Sequence, residues 1–312
     1  MTIFLAGASG LVGSNFARAA ARRGHRVVGT VGTFADPLEG LARQVTLNLA
    51  DEAAVTSAVL DAFPEAIVNC AALSVPEQCE ANPALAQALN VTLPALLARL
   101  AHHVSARCVH LSSEQVFDGT QTTPYTPADL PRPIHLYARQ KLASEQAVRA
   151  AAPEFAVIVR LPLLMGNSAG GQRSNHERLM ADWAAGRTPR LFVDEFRQPC
   201  SAENVAEVLV ELCERHDLRG LFHWAGTELL SRHEIGRRIR EHFQLTEKQA
   251  PLEAVARADH PEAQRKRQAC LALDCSPLAA KLKTRPPTFA EQLAEFHVPP
   301  ACREWYLGLA RE

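Results

Sequence analysis

Short apolar runs bounded by turn residues alternate along this chain with longer stretches whose apolar positions recur every three or four residues. The runs at 2–6, 26–30, 45–47, 66–70, 107–111 and 155–161 read as strands, followed later by 191–193 and 221–224. Stretches at 15–23, 51–62, 83–102, 136–151 and 203–215 read as helices. Strand followed by helix, repeated, predicts an α/β fold with a doubly wound parallel sheet covered on both faces. Past residue 162 the alternation becomes irregular, with a loop at 167–175, helices at 177–185 and 231–243, and a mixed segment at 245–312. The expected division is a larger domain at 1–162, with returning elements around 188–225, and a smaller carboxyl-terminal substrate lobe built from 163–187 and 226–312. There is no internal repeat.

The first strand runs straight into Gly7-Ala8-Ser9-Gly10-Leu11-Val12-Gly13, and helix formers follow until Gly24. Strand, glycine turn and helix in this order are the context of a Rossmann-type dinucleotide site. Glycine permits the tight turn, and backbone N–H groups at the helix start approach a pyrophosphate whose charge the helix dipole favours. The second strand ends in Gly29-Thr30-Val31-Gly32-Thr33, with no carboxylate until Asp36 to grip an adenosine ribose 2′-hydroxyl. That leans towards NADPH. No arginine immediately follows to bind a 2′-phosphate, so NADH stays open as well.

Two further signals lie downstream. Ser112-Ser113 closes the strand at 107–111, where the carboxyl ends of a doubly wound sheet line the ligand crevice. A proline-punctuated connection (Pro124, Pro127, Pro131, Pro133) then leads to Tyr137-Ala138-Arg139-Gln140-Lys141. Four residues is about one helical turn, so the phenol and the ammonium share a face. A cation beside a phenol is expected to lower its pKa and make it a better proton donor to a carbonyl oxygen.

At these residues the chain resembles the extended short-chain dehydrogenase/reductases and, within them, the dTDP-4-dehydrorhamnose reductase family, together with its relative, the regulatory beta subunit of methionine adenosyltransferase. The resemblance also takes in Val68-Asn69-Cys70-Ala71-Ala72, Arg160-Leu161-Pro162, Asp194-Glu195-Phe196-Arg197-Gln198-Pro199, and two stretches closer to the regulatory subunit, Gly220-Leu221-Phe222-His223-Trp224 and Leu273-Asp274-Cys275-Ser276. It implies a catalytic trio of Ser113, Tyr137 and Lys141. It implies cofactor contacts from Gly7, Ser9, Gly10, Leu11, Val12 and Gly13, from Asn48 and Leu49, from Ala71, Ala72, Leu73 and Asn90, and from Tyr137, Lys141 and Pro162. Substrate would meet Ser113, Glu114, Gln115, Val116 and Arg197.

The chain also departs from the family pattern. Where the family usually has Ser-Thr/Ser-Asp-Tyr-Val-Phe, this chain has Ser112-Ser113-Glu114-Gln115-Val116-Phe117, and Ala138-Arg139-Gln140 replaces a small Gly-Lys-Thr. Val12-Gly13-Ser14-Asn15 lacks the glutamate that some of these reductases use for metal, so no metal is expected.

Composition changes little. With 312 residues, 47% hydrophobic and 21% charged, the chain buries a large core, and a formal charge of −1 gives no electrostatic case for nucleic acid or an anionic membrane. No apolar run is expected to span a bilayer, and no signal-like segment precedes the first strand, which points to the cytoplasm. The eight cysteines form no C-x-x-C pair and read as reduced thiols. His102-His103 reads as a favourable helix end, and Arg265-Lys266-Arg267 as a solvated loop or a contact to a nucleotide diphosphate. The expectation is an NAD(P)H-dependent reductase of a nucleotide-linked 4-keto sugar, most simply dTDP-4-dehydrorhamnose. The alternative is a dinucleotide-binding regulatory subunit whose work is to contact a partner enzyme. Homodimer or partner enzyme is left open.

Overall fold

A computed structural model describes residues 1–309. Its strands are β1 (Thr2–Ala6), β2 (Arg26–Val31), β3 (Arg43–Thr46), β4 (Ala66–Asn69), β5 (Arg107–Ser113), β6 (Ala156–Leu161), β7 (Leu164–Met165), β8 (Arg190–Phe192), β9 (Phe196–Arg197), β10 (Cys200–Ser201), β11 (Gly220–His223), β12 (Leu230–Ser231), β13 (Glu253–Val255) and β14 (Cys270–Leu271). The helices are α1 (Leu11–Arg22), α2 (Glu52–Ala62), α3 (Pro76–Ala81), α4 (Pro83–Gln87), α5 (Leu93–His103), α6 (Leu136–Ala151), α7 (Asn175–Ala184), α8 (Ala202–Glu214), α9 (Arg232–His242), α10 (Pro261–Lys266), α11 (Ser276–Ala279), α12 (Phe289–Glu295) and α13 (Arg303–Leu309).

Seven strands form one doubly wound sheet in the order β11-β6-β5-β4-β1-β2-β3, and every pairing in it is parallel. Successive side chains of a strand point to opposite faces. Ile3 and Leu5 therefore enter a core with Phe16 of α1 and Leu209 of α8, while Phe4 and Ala6 enter a second core with Val59 of α2, Leu97 of α5 and Val148 of α6. Strand order reverses between β1 and β4, and their carboxyl ends open the crevice in which such sheets bind ligands. A third core of Met180, Trp183, Ile239, Phe289 and Phe296 holds α7, α9 and α12 together. Short strands pair around it: β7 with β10, β8 with β13, and β9 between β12 and β14.

Three sequence readings need correcting. The strand expected at 191–193 does not join the parallel sheet, because Leu191 pairs with Ala254 of β13. The helix expected at 83–102 is broken by a π-turn, Ala88–Thr92, between α4 and α5. Pro94 has no N–H for the carbonyl four residues back, and a wider turn absorbs that loss. The same stretch, Pro83–His103, has a mean hydropathy of 1.3 over its most apolar window and is long and apolar enough to cross a membrane, which the sequence reading had not expected of any run. Half of that window is buried inside the protein, where Leu93, Leu97 and Ala101 pack on the sheet.

Phe4 is fully buried at the centre of the sheet, whereas Leu130 is 74% exposed. Phe4→Ala should cost about 3–5 kcal/mol in urea unfolding, and Leu130→Ala less than about 0.5 kcal/mol. Equal costs would show that β1 does not carry the core.

Candidate active site

The crevice is a cleft of about 1700 Å³. That exceeds the volume of an ordinary small-molecule pocket, so it has room for a dinucleotide and a second ligand together. Its floor begins at the glycine turn. Gly7 has φ +81°, and a Cβ there would lie 2.9 Å from the Ala71 backbone. Its N–H donates to Thr30 Oγ1 at 3.0 Å. A Cβ on Gly13 would stand 2.2 Å from the Gly7 carbonyl oxygen, so this third glycine serves the packing of helix on turn and does not line the cleft. Gly10 caps α1 without a side-chain hydrogen bond, and Ser9, Gly10, Leu11 and Val12 all line the cleft. The turn thus offers a backbone cradle with no side chain filling it.

Tyr137 in the first turn of α6 is 7% exposed and Lys141 is 4% exposed, and both line the cleft with Ser113 at the end of β5. Ser113 Oγ accepts from the Gln115 N–H at 3.2 Å. His135 caps α6, its Nδ1 accepting from the Ala138 N–H at 3.2 Å, and its ring stacks near that of Tyr137. The expected tuning of Tyr137 by Lys141 is not what this geometry does. Burial pushes the phenol up to about 12, and the Ser113 hydroxyl pulls it back down in part. The Lys141 ammonium donates to the Leu111 carbonyl at 2.6 Å, and burial lowers it to about 8 against the opposing pull of Glu145. Tyr137 is therefore a neutral phenol at pH 7, able to donate a proton.

Beneath these residues lies a polar network that sequence reasoning missed. Arg160 of β6 grips Glu145 of α6 through Nε at 2.8 Å and NH2 at 2.7 Å, and Ser112 donates to the same carboxylate. His110 Nε2 meets Ser144 Oγ at 2.9 Å, and Ser144 donates to the Lys141 carbonyl at 2.7 Å. Burial, then Lys141, drives the His110 pKa well below the ordinary value, so His110 is neutral. The available signal was that Lys141, Ser144, Glu145 and Val148 share one helical face with Tyr137.

Among the remaining candidates, Leu49, Ala71, Ala72, Leu73, Pro162, Glu114, Gln115 and Arg197 line the cleft. Three do not line it in this structure. Asn48 is exposed, with its Oδ1 taken by the Ala50 N–H at 3.0 Å, a plain turn role. Asn90 is fully buried in the π-turn, accepting from the Leu73 N–H at 2.9 Å and donating to the Leu73 carbonyl at 3.1 Å and to Gln140 at 3.0 Å. It pins the loop behind the cleft. Val116 is fully buried with Phe117 and Tyr125. Among the described residues no group of three or more His, Cys, Asp or Glu is placed to hold a metal ion, and all eight cysteines are free.

Glu114 is 2% exposed; its Oε1 lies 3.4 Å from Arg197 Nε and its Oε2 has no hydrogen-bond partner. Burial raises its pKa from 4.5 to about 8 despite Arg197 and Arg232. The fold thus keeps a proton that the unfolded chain releases. This contribution to stability is complete below about pH 4.5 and is lost as the pH rises through about 8. Glu114→Gln stays neutral throughout, so its melting temperature relative to the wild type should climb between about pH 5 and about pH 9. A flat difference would mean that Glu114 is ionised in the fold over the whole range.

Comparison with known proteins places this architecture. The chain is 33% identical over 298 residues to the probable low-salt glycan biosynthesis reductase Agl14 of Haloferax volcanii, covering 94% of this chain and 96% of that one. It is 32% identical over 247 residues to the methionine adenosyltransferase 2 subunit beta of Xenopus laevis, covering 77% and 72%. It is 32% identical over 235 residues to the dTDP-4-dehydrorhamnose reductase of Mycobacterium tuberculosis, covering 74% and 71%. The crystal structure of a dTDP-4-dehydrorhamnose reductase from Bacillus anthracis in complex with NADP superposes with a TM-score of 0.80 at 21% identity, covering 95% of this chain and 98% of that one, and shares the fold. The family model of the RmlD substrate binding domain matches residues 1–299, and the chain belongs to that family.

Proposed function

We propose that this chain is an NAD(P)H-dependent reductase of a nucleotide-linked 4-keto sugar, with dTDP-4-dehydrorhamnose the simplest candidate. The observation that carries the reading is the meeting of Ser113, Tyr137 and Lys141 on the same cleft as an unfilled glycine cradle. Reductase relatives at 33% and 32% identity support it. In this reading 1–162 with α8 and β11 bind the dinucleotide, and 163–187 with 226–312 form the substrate lobe, in a cytoplasmic enzyme.

The dinucleotide, when bound, supplies the hydride. The residues of this chain do the rest. Backbone N–H groups of Leu11 and Val12 at the start of α1 would hold the pyrophosphate, the Gly10 N–H being taken by the Gly7 carbonyl at 3.0 Å. Ser113 donates a hydrogen bond to the keto oxygen, and Tyr137 transfers its phenolic proton to that oxygen as negative charge develops. The neutral phenol is the form this step needs. Lys141 is fixed by the Leu111 carbonyl at 2.6 Å and would anchor the nicotinamide ribose. Ala71 and Ala72, which line the cleft, would leave space for the cofactor, and Pro162 would meet its carboxamide end.

The second reading, a dinucleotide-binding regulatory subunit, is favoured by the similarity to the methionine adenosyltransferase beta subunit and by the Glu114-Gln115 pair at the substrate wall. The two separate on turnover. In a reductase, Tyr137→Phe keeps the ring and removes the proton, so turnover of the 4-keto sugar should fall about 10²- to 10⁴-fold with dinucleotide affinity little changed. Wild-type inactivity on a panel of dTDP- and UDP-4-keto sugars, together with a stable partner enzyme in a pull-down, would replace the reductase reading with the regulatory one.

Dinucleotide fluorescence tests the cradle. NADPH should bind at least as tightly as NADH, because no carboxylate closes the end of β2, where Thr30 and Gly32 line the cleft. Gly10→Asp should abolish binding of both, since it puts a carboxylate on the pyrophosphate path and a Cβ 3.2 Å from the Gly7 oxygen. Unchanged affinity would remove the glycine turn from the site.

A further inference from the structure

The far wall of the cleft is rich in arginine, but its arginines are not equally free. Arg197 has Nε 3.4 Å from Glu114 and NH2 3.2 Å from Glu195, and its NH1 donates to the carbonyls of Phe196 at 2.7 Å and Gln268 at 3.1 Å. Arg267 lays Nε at 2.6 Å and NH2 at 3.0 Å on Glu195. An anion arriving at Arg197 would have to displace a carboxylate or a backbone carbonyl, and one arriving at Arg267, whose NH1 has no partner among the described residues, would meet the Glu195 carboxylate that Arg267 already grips with two nitrogens. Arg190 is engaged with Glu253 at 3.1 Å.

Arg232 is different. It opens α9, and its backbone N–H is fixed on the Glu195 carbonyl at 2.9 Å. NH2 donates to Asn175 Oδ1 at 2.8 Å, Nε is 4.0 Å from a Glu195 already gripped by Arg267, and NH1 has no partner among the described residues. The side chain is only 17% exposed and lines the cleft. Burial lowers its pKa to about 10, which leaves it charged at neutral pH. Three guanidiniums, Arg197, Arg232 and Arg267, face two carboxylates, Glu114 and Glu195, so a positive charge remains even with both acids ionised. Arg232 presents an open nitrogen of that cluster with no carboxylate closer than 4.0 Å. Arg178 of α7, the helix packed on α9, also lines the cleft, with no ion-pair partner among the described residues.

We propose that Arg232, with Arg178 on the neighbouring helix, holds the diphosphate of the nucleotide-linked substrate, while Arg197 builds the wall and holds no ligand. This rests on the nucleotide-sugar reading above. A planar guanidinium with one edge pinned by Asn175 and the other open presents a fork to phosphate oxygens, and the partly desolvated cleft strengthens the attraction.

The test titrates dTDP and UDP into the full chain saturated with NADP⁺, following the heat of binding. Arg232→Gln should weaken both nucleotides by about tenfold or more and flatten the salt dependence, with NADP⁺ affinity and melting temperature kept. Arg232→Lys, which restores the charge without the fork, should recover part of the loss. Arg197→Gln should instead lower the melting temperature, because it leaves the Phe196 and Gln268 carbonyls without their donor, and leave nucleotide affinity within about threefold. Wild-type binding with Arg232→Gln within about twofold would overturn the assignment to Arg232 and leave the reductase reading standing. So would loss of binding in Arg197→Gln at an unchanged melting temperature. A wild-type chain that binds NADP⁺ but neither nucleotide would overturn the assignment and the nucleotide-sugar reading together.

Discussion

The buried pairing of Arg160 with Glu145 fixes what the site depends on, which is the rotation of α6. Arg160 is 2% exposed and Glu145 3%, and the carboxylate also takes the Ser112 hydroxyl. Removing one member of such a pair strands the other charge in a poor solvent at a cost of about 3–5 kcal/mol, so the contact has effectively one arrangement. That arrangement ties α6 to β5 and β6 at once. Glu145 is four residues beyond Lys141 and eight beyond Tyr137 on one helical face, so docking the acid on Arg160 aims the ammonium and the phenol at the cleft.

A second layer of hydrogen bonds fixes the same helix from below. His110 reaches Ser144, Ser144 reaches the Lys141 carbonyl, and Asn69 Nδ2 meets His110 Nδ1 at 3.3 Å. Asn69 stands at the end of β4, beside the turn that carries Ala71 and Ala72. The chain of contacts therefore runs from the loop after β4 through two strands to α6. Within it His110 serves as a neutral strut, and its burial beside Lys141 keeps it from taking a proton that would break the sequence of donors and acceptors.

Much of this was legible in the sequence because it is local. The glycine turn lies between a strand and its own helix. Tyr137 and Lys141 lie one turn apart, and Ser113 ends its own strand, so periodicity and turn chemistry are enough to put all three at the crevice. What was misread depends on partners far along the chain. The run at 191–193 has the composition of a sheet strand, yet its partner is β13, about sixty residues later, and no local pattern records that choice. Asn90 had the right neighbourhood for a cofactor contact, but Pro94 widens its turn and points its amide at Leu73 and Gln140.

Arg197 shows the same limit in the chemistry of charge. Read alone, an arginine in the segment returning to the cleft is a free cation and a natural phosphate ligand. Its real state is set by Glu114, brought by β5, by the neighbouring Glu195, and by the Gln268 carbonyl, which arrives with the strand that pairs on β9. Each donor that these acceptors take is one that a ligand cannot use without leaving a buried acceptor unsatisfied, a loss of about 1–3 kcal/mol or more for a charged group. Charge on a cleft wall becomes binding capacity only where the fold leaves a donor open. In this chain that condition depends on how three separate segments meet.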